Sequence, residues 1–264
     1  MHVTEAIKQH YEEASTVDAW SQKGAVSDAL DTYGEWSQNR AIFGGAALKG
    51  TVLDLGSGTG HYARQARKRG AAKVVCTDLS HGMLACSQRL AEATDNLFFV
   101  QADAAALPFK AETFDAVINV GLFEHLSETR QVISELHRVL KTDGLLITRF
   151  HNRYSIPGIL LNMRSRLQRR PPFGYPFYRM YSRKEAVDLH RNAFGVKSVE
   201  HMLLLPLPIV PGFVIRFLHK RGNQRWMRWL FSFVRAVEKG LIAVHLGGLF
   251  SYCFVIVFSK KQEL

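Results

Sequence analysis

The sequence predicts an α/β fold in which a mainly parallel β-sheet is preceded by a helical segment. Between residues 51 and 150, short apolar runs alternate with segments of helical periodicity. Strands that alternate with helices form parallel sheets with right-handed crossovers. After residue 150 the rhythm changes, and two late apolar runs flank a long basic segment. This arrangement predicts an antiparallel edge with a helical insertion before the last strand.

Each element follows from a local pattern of apolar spacing and of turn or capping residues. The predicted strands are Thr51–Leu55, Lys73–Asp78, Leu97–Gln101, Phe114–Val120, Leu145–Phe150, Val196–Leu204 and Phe250–Phe258. The predicted helices are His61–Arg69, Gly82–Ala93, Ser127–Leu140 with Ser127 as N-cap, and Ser182–Phe194. A turn is predicted at residues 142–144, directly before the fifth strand.

The composition excludes some classes of protein. With 47% hydrophobic residues in 264, the chain can bury a substantial core, which excludes disorder as its main state. Three cysteines far apart in the sequence do not form a disulfide scaffold and fit a reducing compartment. Residues 1–11 are polar, and the longest apolar runs are interrupted by prolines and charges. We therefore expect a cytoplasmic protein without a signal peptide or a spanning helix.

Charge and periodicity divide the chain into three parts. We expect an N-terminal helical cap over residues 1–46, and a core over 47–204 and 249–264 that carries a basic, aromatic insert at 151–181. Residues 205–248 would form an apolar and basic lid. The net charge of +11 is local, since residues 151–264 carry 19 Lys and Arg against 5 Asp and Glu. The excess positive charge therefore informs the choice of methyl acceptor or binding partner, and it does not indicate which reaction the core performs.

A glycine-rich turn between the first strand and the first helix predicts a ligand site. Gly56, Gly58 and Gly60 follow Asp54, and Asp78 ends the next strand. Glycines let the backbone turn tightly and approach a ligand, and an acid at the end of the second strand receives ribose hydroxyls. An acid within the turn repels phosphate and attracts an ammonium group. The pattern favours a ligand with an amino-acid end and a nucleoside end.

At this point the chain resembles the class I S-adenosylmethionine-dependent methyltransferases over residues 48–150. The resemblance is carried by the motifs Val52–Gly60, Thr77–Ser80 with Met83, Gln101–Ala104 with Leu107–Phe109, Phe114-Asp115 and Lys141–Gly144. Leu145 stands where many members have a second glycine. The resemblance implies a Rossmann-like seven-stranded sheet with an N-terminal helical cap and a helical insertion before the last strand. It also implies S-adenosyl-L-methionine as cofactor.

The resemblance assigns cofactor contacts residue by residue. The glycine turn with Ser57 would line the methionine part, and Asp54 would act near its ammonium group. Asp78 would bind the ribose hydroxyls, with Leu79 and Met83 against the adenine. Asp103 and Ala104 would hold the adenine edge, and Asn119 would lie near the methionine. From the N-terminal segment, which closes over the cofactor in the family, the choices are Tyr11 and Tyr33.

The methyl acceptor should lie at the carboxyl ends of the fourth and fifth strands. Two histidines reach this place, and either could be the general base: His125, in a Glu-His pair after strand four, and His151, after strand five. Arg153 is a candidate contact for an anionic acceptor, against the alternative of a solvated loop arginine. No metal site is expected.

The basic, aromatic C-terminal region leaves three readings open. The region could form a lid that packs on the sheet. It could instead form a surface that contacts the anionic inner leaflet of a membrane, or a surface that binds RNA or DNA. We expect a small hydrophobic or lipid-like acceptor. An RNA or DNA methyltransferase and a non-catalytic S-adenosylmethionine-binding module remain the alternatives.

Overall fold

A computed structural model describes residues 3–13, 16–17, 38–44, 48–92, 96–170, 175–203, 229, 232–233, 236–237, 240–241 and 247–261. Tyr33 and most of the predicted lid at 205–248 lie outside the described residues.

Seven strands form one mixed sheet in the order β3-β2-β1-β4-β5-β7-β6. The strands are β1 (Thr51–Leu55), β2 (Lys73–Asp78), β3 (Leu97–Gln101), β4 (Phe114–Val120), β5 (Leu140–His151), β6 (Phe194–Leu203) and β7 (Ser251–Lys260). The first five strands are parallel, and β7 runs antiparallel between β5 and β6. The fold class is therefore confirmed, with its antiparallel edge.

The described helices pack on both faces of this sheet. They are α1 (Val3–Glu12), α2 (His61–Lys68), α3 (His81–Arg89), α4 (Thr129–Val139), α5 (Ile156–Gln168), α6 (Arg183–His190) and the short α7 (Gly247–Phe250). One apolar cluster joins Leu136 of α4 to Phe114 and Phe150 of the sheet, and a second joins Ala66 of α2 to Ile118. Since helices cover both faces, the carboxyl ends of the parallel strands remain the place for a site.

Four local expectations differ from the structure. The helix predicted over Ser182–Phe194 is Arg183–His190, because Phe194 already begins β6. Ser127 is not an N-cap, because α4 begins at Thr129 after Glu128, whose side chain makes no capping hydrogen bond. The predicted turn at 142–144 lies inside β5 as an irregularity: Phe114 pairs with Leu140, and the next pairing joins Ala116 to Leu145. The helix predicted over Gly82–Ala93 is shorter, His81–Arg89, and Ser80 caps it through the N–H of Met83 at 3.1 Å.

Candidate functional site

One cavity of about 780 Å³ opens at the carboxyl ends of the parallel strands. This volume is typical of small-molecule and cofactor sites. Eleven residues predicted from the sequence line it: Tyr11, Gly56, Ser57, Gly58, Asp78, Leu79, Met83, Asp103, Ala104, His125 and His151. Asp54, Gly60 and Asn119 are not among the lining residues, so any contribution they make to the site is indirect.

The glycine turn has the shape of a ligand cradle. Gly56 and Gly58 have φ angles of 70° and 51°, which side-chain-bearing residues rarely adopt. The N–H groups of Gly56 and Ser57 donate to the carbonyl of Thr77 at 2.8 and 2.9 Å, which ties the turn to β2. A Cβ placed on Gly58 would meet no atom within 4 Å. The backbone at Gly58 therefore borders ligand space and not protein.

Gly60 has a different role from Gly58. A Cβ at Gly60 would lie 2.0 Å from the hydroxyl oxygen of Ser87 in α3. The absence of a side chain lets α2 begin close against α3, so this glycine sets the packing behind the cradle.

Asp78 lies where β2 ends and faces the cradle. One carboxylate oxygen accepts from the N–H of Gly58 at 2.8 Å, and the other accepts from the N–H of Ser80 at 3.0 Å. Burial raises the pKa of Asp78, while these backbone donors oppose the shift. The carboxylate is thus held in one orientation, with acceptor capacity left for ligand hydroxyls.

Beside Asp78, the cavity has an apolar wall and a tight turn. Met83 and Ala104 are buried at the start of α3 and after β3. The carboxylate of Asp103 accepts from the N–H of Ala105 at 2.9 Å, which fixes the turn. Asp103 thus caps its own loop in the ordinary way, and this hydrogen bond uses one of its two carboxylate oxygens.

Two buried polar side chains lie behind the cavity at the ends of β1 and β4. Asp54 is 1% exposed, burial raises its pKa to about 7, and one of its carboxylate oxygens has no partner among the described residues. Asn119 is fully buried, and neither polar atom of its amide has a described partner. Buried polar atoms without partners are rare, and these two fit a polar ligand end nearby.

Helix α1 lines the cavity beside the glycine cradle and contacts the start of α3. The Ser80 hydroxyl donates to the carbonyl of Tyr11 at 3.0 Å. The carboxylate of Glu12 accepts from the N–H groups of His81 and Gly82 at 2.7 and 3.0 Å. These two N–H groups are at the N-terminus of α3, where a negative charge is favoured. Glu12 therefore links helix α1 to the N-terminus of α3, which forms part of the cavity wall.

Replacing Glu12 with alanine is expected to weaken S-adenosylhomocysteine binding by roughly 5- to 30-fold, since losing a capping interaction costs about 1–2 kcal/mol. Titration calorimetry would measure the affinity, and hydrogen exchange over residues 3–13 would report closure of the cap. Glu13→Ala is the matched control, since Glu13 is exposed directly after the same helix. Equal affinities for the two variants would contradict the role of Glu12.

Aromatic side chains surround the other end of the cavity. Tyr11 stacks with Tyr175 at 6.1 Å between ring centroids, and Tyr175 stacks with Tyr178 at 5.5 Å. His125 meets Tyr175 edge to face at 4.6 Å, and Tyr252 meets His151 at 4.8 Å. Of the tyrosines, only Tyr11 was predicted at the site. The aromatic, proline-rich run at 171–179 was the signal for Tyr175 and Tyr178.

His125 has the geometry of a neutral base. Its Nδ1 lies 3.2 Å from the carbonyl of Phe177, which requires the proton on Nδ1. Its Nε2, which carries the lone pair in the neutral ring, lies 3.2 Å from the Tyr11 hydroxyl. Burial lowers the pKa of His125, outweighing the nearby Glu124. The imidazole is therefore neutral at pH 7, with its basic nitrogen toward the cavity.

His151 has more partners than His125. One Glu124 carboxylate oxygen accepts from the backbone N–H of His151 at 2.8 Å and from its Nδ1 at 3.0 Å. Arg149 lies 3.3 Å from His151 Nε2. Although burial raises the pKa of Glu124, His151 and Arg149 outweigh it and hold this pKa at about 2. Burial lowers the pKa of His151, but Cys253 and Glu124 favour the imidazolium and raise it overall.

The described residues contain no group of three or more His, Cys, Asp and Glu side chains placed to hold a metal ion. Within the same described part of the chain, no helix has the length and apolar character needed to cross a membrane.

Comparison with known sequences identifies a domain family. Residues 53–148 match the family model described as a methyltransferase domain. A demethylmenaquinone methyltransferase of Clavibacter sepedonicus is 42% identical over 97 residues, which are 36% of this chain and 39% of that protein. A malonyl-[acyl-carrier protein] O-methyltransferase of Geobacter sulfurreducens is 29% identical over 150 residues, 56% of each chain. The chain thus spans between 39% and 56% of the length of these two relatives.

Solved structures share the fold. A phosphoethanolamine N-methyltransferase 2 of Haemonchus contortus, solved with S-adenosylhomocysteine, has a TM-score of 0.64 at 20% identity, covering 100% of this chain and 61% of that chain. An S-adenosylmethionine-dependent methyltransferase of Thermotoga maritima has a TM-score of 0.61 at 19% identity, covering 88% and 92%. The sequence match therefore shows a methyltransferase domain over residues 53–148, and the sheet order agrees with the solved methyltransferase structures that share this fold.

Proposed function

We propose that the protein transfers a methyl group from S-adenosylmethionine to a small hydrophobic or lipid-like acceptor. The observation that carries this proposal is a single cavity with two unlike ends. One end has the glycine cradle and Asp78, and the other has tyrosines, His125 and His151. A cofactor at the first end and an acceptor at the second would be held in contact, and positioning of this kind supplies much of a transfer rate.

The residues at the first end fit the cofactor. Gly58 leaves space against the backbone, Asp78 offers carboxylate oxygens to the ribose hydroxyls, and Met83 offers an apolar surface to the adenine. When bound, S-adenosylmethionine supplies a methyl carbon on a positively charged sulfur, open to attack in line with the breaking bond. The aromatic rings beside it favour a cationic neighbour and exclude water.

At the second end we assign the general base to His125. Its Nε2 lone pair would accept the acceptor's proton, and the Phe177 carbonyl would stabilise the imidazolium through Nδ1. Tyr11 would move its hydroxyl from Nε2 to the acceptor or to Tyr175. His151 would act as a positioning group, since Glu124 and Arg149 hold both of its ring nitrogens.

The two relatives described above support this class of acceptor. One is a demethylmenaquinone methyltransferase, and the other is a malonyl-[acyl-carrier protein] O-methyltransferase. These acceptors are small or lipid-like. No observation on the described residues favours RNA or DNA as the acceptor.

Two measurements test the proposal together. Titration calorimetry with S-adenosylhomocysteine should show binding to one site, and incubation with S-adenosylmethionine and a panel of quinols, phenols and malonyl thioesters should release S-adenosylhomocysteine. No cofactor binding would overturn the whole proposal. Cofactor binding without transfer to any acceptor would instead favour the non-catalytic binding module.

We further propose that the protein is cytoplasmic and reaches a lipid-like acceptor through helix α5. The apolar side chains of this helix are turned outward: Ile156, Ile159, Leu160, Met163 and Leu167 are between 43% and 82% exposed. Arg164, Arg166, Arg169 and Arg170 are exposed beside them. Exposed apolar side chains with adjacent arginines are typical of helices that lie on anionic bilayers.

Co-sedimentation with vesicles containing phosphatidylglycerol tests this surface. Wild-type protein should bind at low salt and dissociate as salt rises, because the arginine contribution is screened. The double substitution Leu160→Glu, Leu167→Glu should abolish binding, while Leu90→Glu, at an apolar position 40% exposed elsewhere, should not. Vesicle binding that survives the double substitution would assign the contact to another surface.

A further inference from the structure

We infer that the acceptor end of the cavity contains an anion-binding subsite at Arg149, so that the methyl acceptor carries an anionic oxygen group such as a carboxylate or phosphate. This inference rests on the proposed function and narrows its acceptor class. Arg149 belongs to β5 and lines the cavity together with Tyr62, Tyr178 and Tyr252.

Among the described residues, no carboxylate lies within ion-pair distance of the Arg149 guanidinium. Its Nη1 donates to His151 Nε2 at 3.3 Å, which is at the long end of hydrogen-bond distance, and to the weak acceptor Cys253 Sγ at 3.4 Å. Its Nε is buried without a partner among the described residues. None of the ion pairs within 4.0 Å in the described part of the chain includes Arg149. A buried guanidinium left in this state is costly unless an anion joins it.

A buried carboxylate beside this end of the cavity is already engaged. Glu124 accepts from the backbone N–H and from Nδ1 of His151 through one oxygen. Its charge attracts Arg149, but the two groups do not form an ion pair within 4.0 Å. Arg149 is always charged, so an anionic acceptor would give this guanidinium the direct partner that Glu124 does not provide.

Backbone geometry makes room for this guanidinium. Gly121 follows β4, lines the cavity and has a φ angle of 83°. A Cβ at Gly121 would lie 2.9 Å from Arg149 Nη2, closer than real Cβ contacts allow. The turn after β4 therefore admits a guanidinium where a side chain on residue 121 would collide with it.

Arg153 was the predicted contact for an anionic acceptor, but its side chain binds other residues. It forms an ion pair with Glu185 at 3.0 Å and donates to the carbonyl of Met180 at 3.1 and 2.9 Å. It lines a separate cavity of about 440 Å³ and not the cofactor cavity. Arg153 is thus the matched control for Arg149.

The experiment uses protein saturated with S-adenosylhomocysteine and titrates inorganic phosphate and, separately, malonate by calorimetry at pH 7. The wild type should bind at least one of the two anions at a single site, and the preferred anion indicates whether the group is phosphate or carboxylate. Arg149→Met should weaken that binding by about tenfold or more, the effect of one charged hydrogen bond. Arg149→Lys should retain part of it, and Arg153→Met should match the wild type.

Separate outcomes overturn this inference and the proposed function. If S-adenosylhomocysteine binds the wild type but neither anion does, the subsite is wrong and the methyltransferase proposal stands. If Arg149→Met weakens S-adenosylhomocysteine binding as much as anion binding, the arginine holds the cofactor's carboxylate, and the subsite is again wrong. If S-adenosylhomocysteine does not bind the wild type, the proposed function fails first. Retained S-adenosylhomocysteine affinity in Arg149→Met shows that the variant is folded.

Discussion

Replacing Asp78 with alanine is expected to weaken the binding of S-adenosylhomocysteine by about 100-fold or more, since each hydrogen bond to a charged group contributes about 1.5–3 kcal/mol. The Asp78 carboxylate would receive two ribose hydroxyls, and it already orders the cradle through the N–H of Gly58. The substitution therefore removes ligand contacts and a contact that shapes the site. Titration calorimetry at pH 7.5 would measure the affinity.

Two further variants separate binding from folding in this prediction. Asp78→Asn keeps the shape of the side chain and should lose much of the affinity, because an amide presents only one acceptor oxygen. Asp188→Asn, at an exposed position on α6, should bind like the wild type. If Asp78→Ala bound S-adenosylhomocysteine within about threefold of the wild type, the carboxylate would not hold the ribose.

Replacing His125 with alanine is expected to lower the turnover number by about 100- to 10,000-fold for an acceptor that must lose a proton, the usual contribution of a positioned base. S-adenosylhomocysteine affinity should change little, because the imidazole lies at the acceptor end. Turnover would be followed as S-adenosylhomocysteine release. His137→Ala, remote from the cavity, is the control.

The pH profile discriminates between the two histidines. A general base works in its neutral form, and activity is lost as the pH falls through its pKa. Burial lowers the pKa of His125, so turnover should stay level down to about pH 6.5, the unperturbed value, and decline below it. The pKa of His151 is raised, so an enzyme that used His151 as its base would already lose activity at a pH above 6.5. A decline that begins above pH 6.5 would therefore transfer the assignment to His151.

The cofactor end of the site could be predicted from the sequence because its chemistry is local. The glycine turn, Asp78 and Met83 are all on segments between residues 54 and 83, and a glycine needed at positive φ leaves a direct mark on the sequence. The family pattern then supplied Asp103 and Ala104. The structure places these residues, apart from Gly60, along one cavity.

The acceptor end could not be predicted to the same depth, because its residues meet only through tertiary structure. Tyr11 and His125 are 114 positions apart, and Arg149 reaches Cys253 over 104 positions. Nothing near Arg149 in the sequence indicates that its side chain turns into a cavity, whereas Arg153 is in a loop that looked accessible. The partners of Arg153, Glu185 and the Met180 carbonyl, are likewise distant in sequence.

The position of β7 has a consequence for the order in which the molecule assembles. This strand comes after the other six in the chain, yet it lies between β5 and β6 and brings Tyr252 and Cys253 to the acceptor end. During synthesis, β1 to β5 can pair as they emerge, and the cofactor end can form early. The free edge of β5 then stays unpaired until β7 has been synthesised. An unpaired edge of this kind can form hydrogen bonds with strands of other chains. The nascent chain would therefore be able to hold its cofactor before it could hold an acceptor.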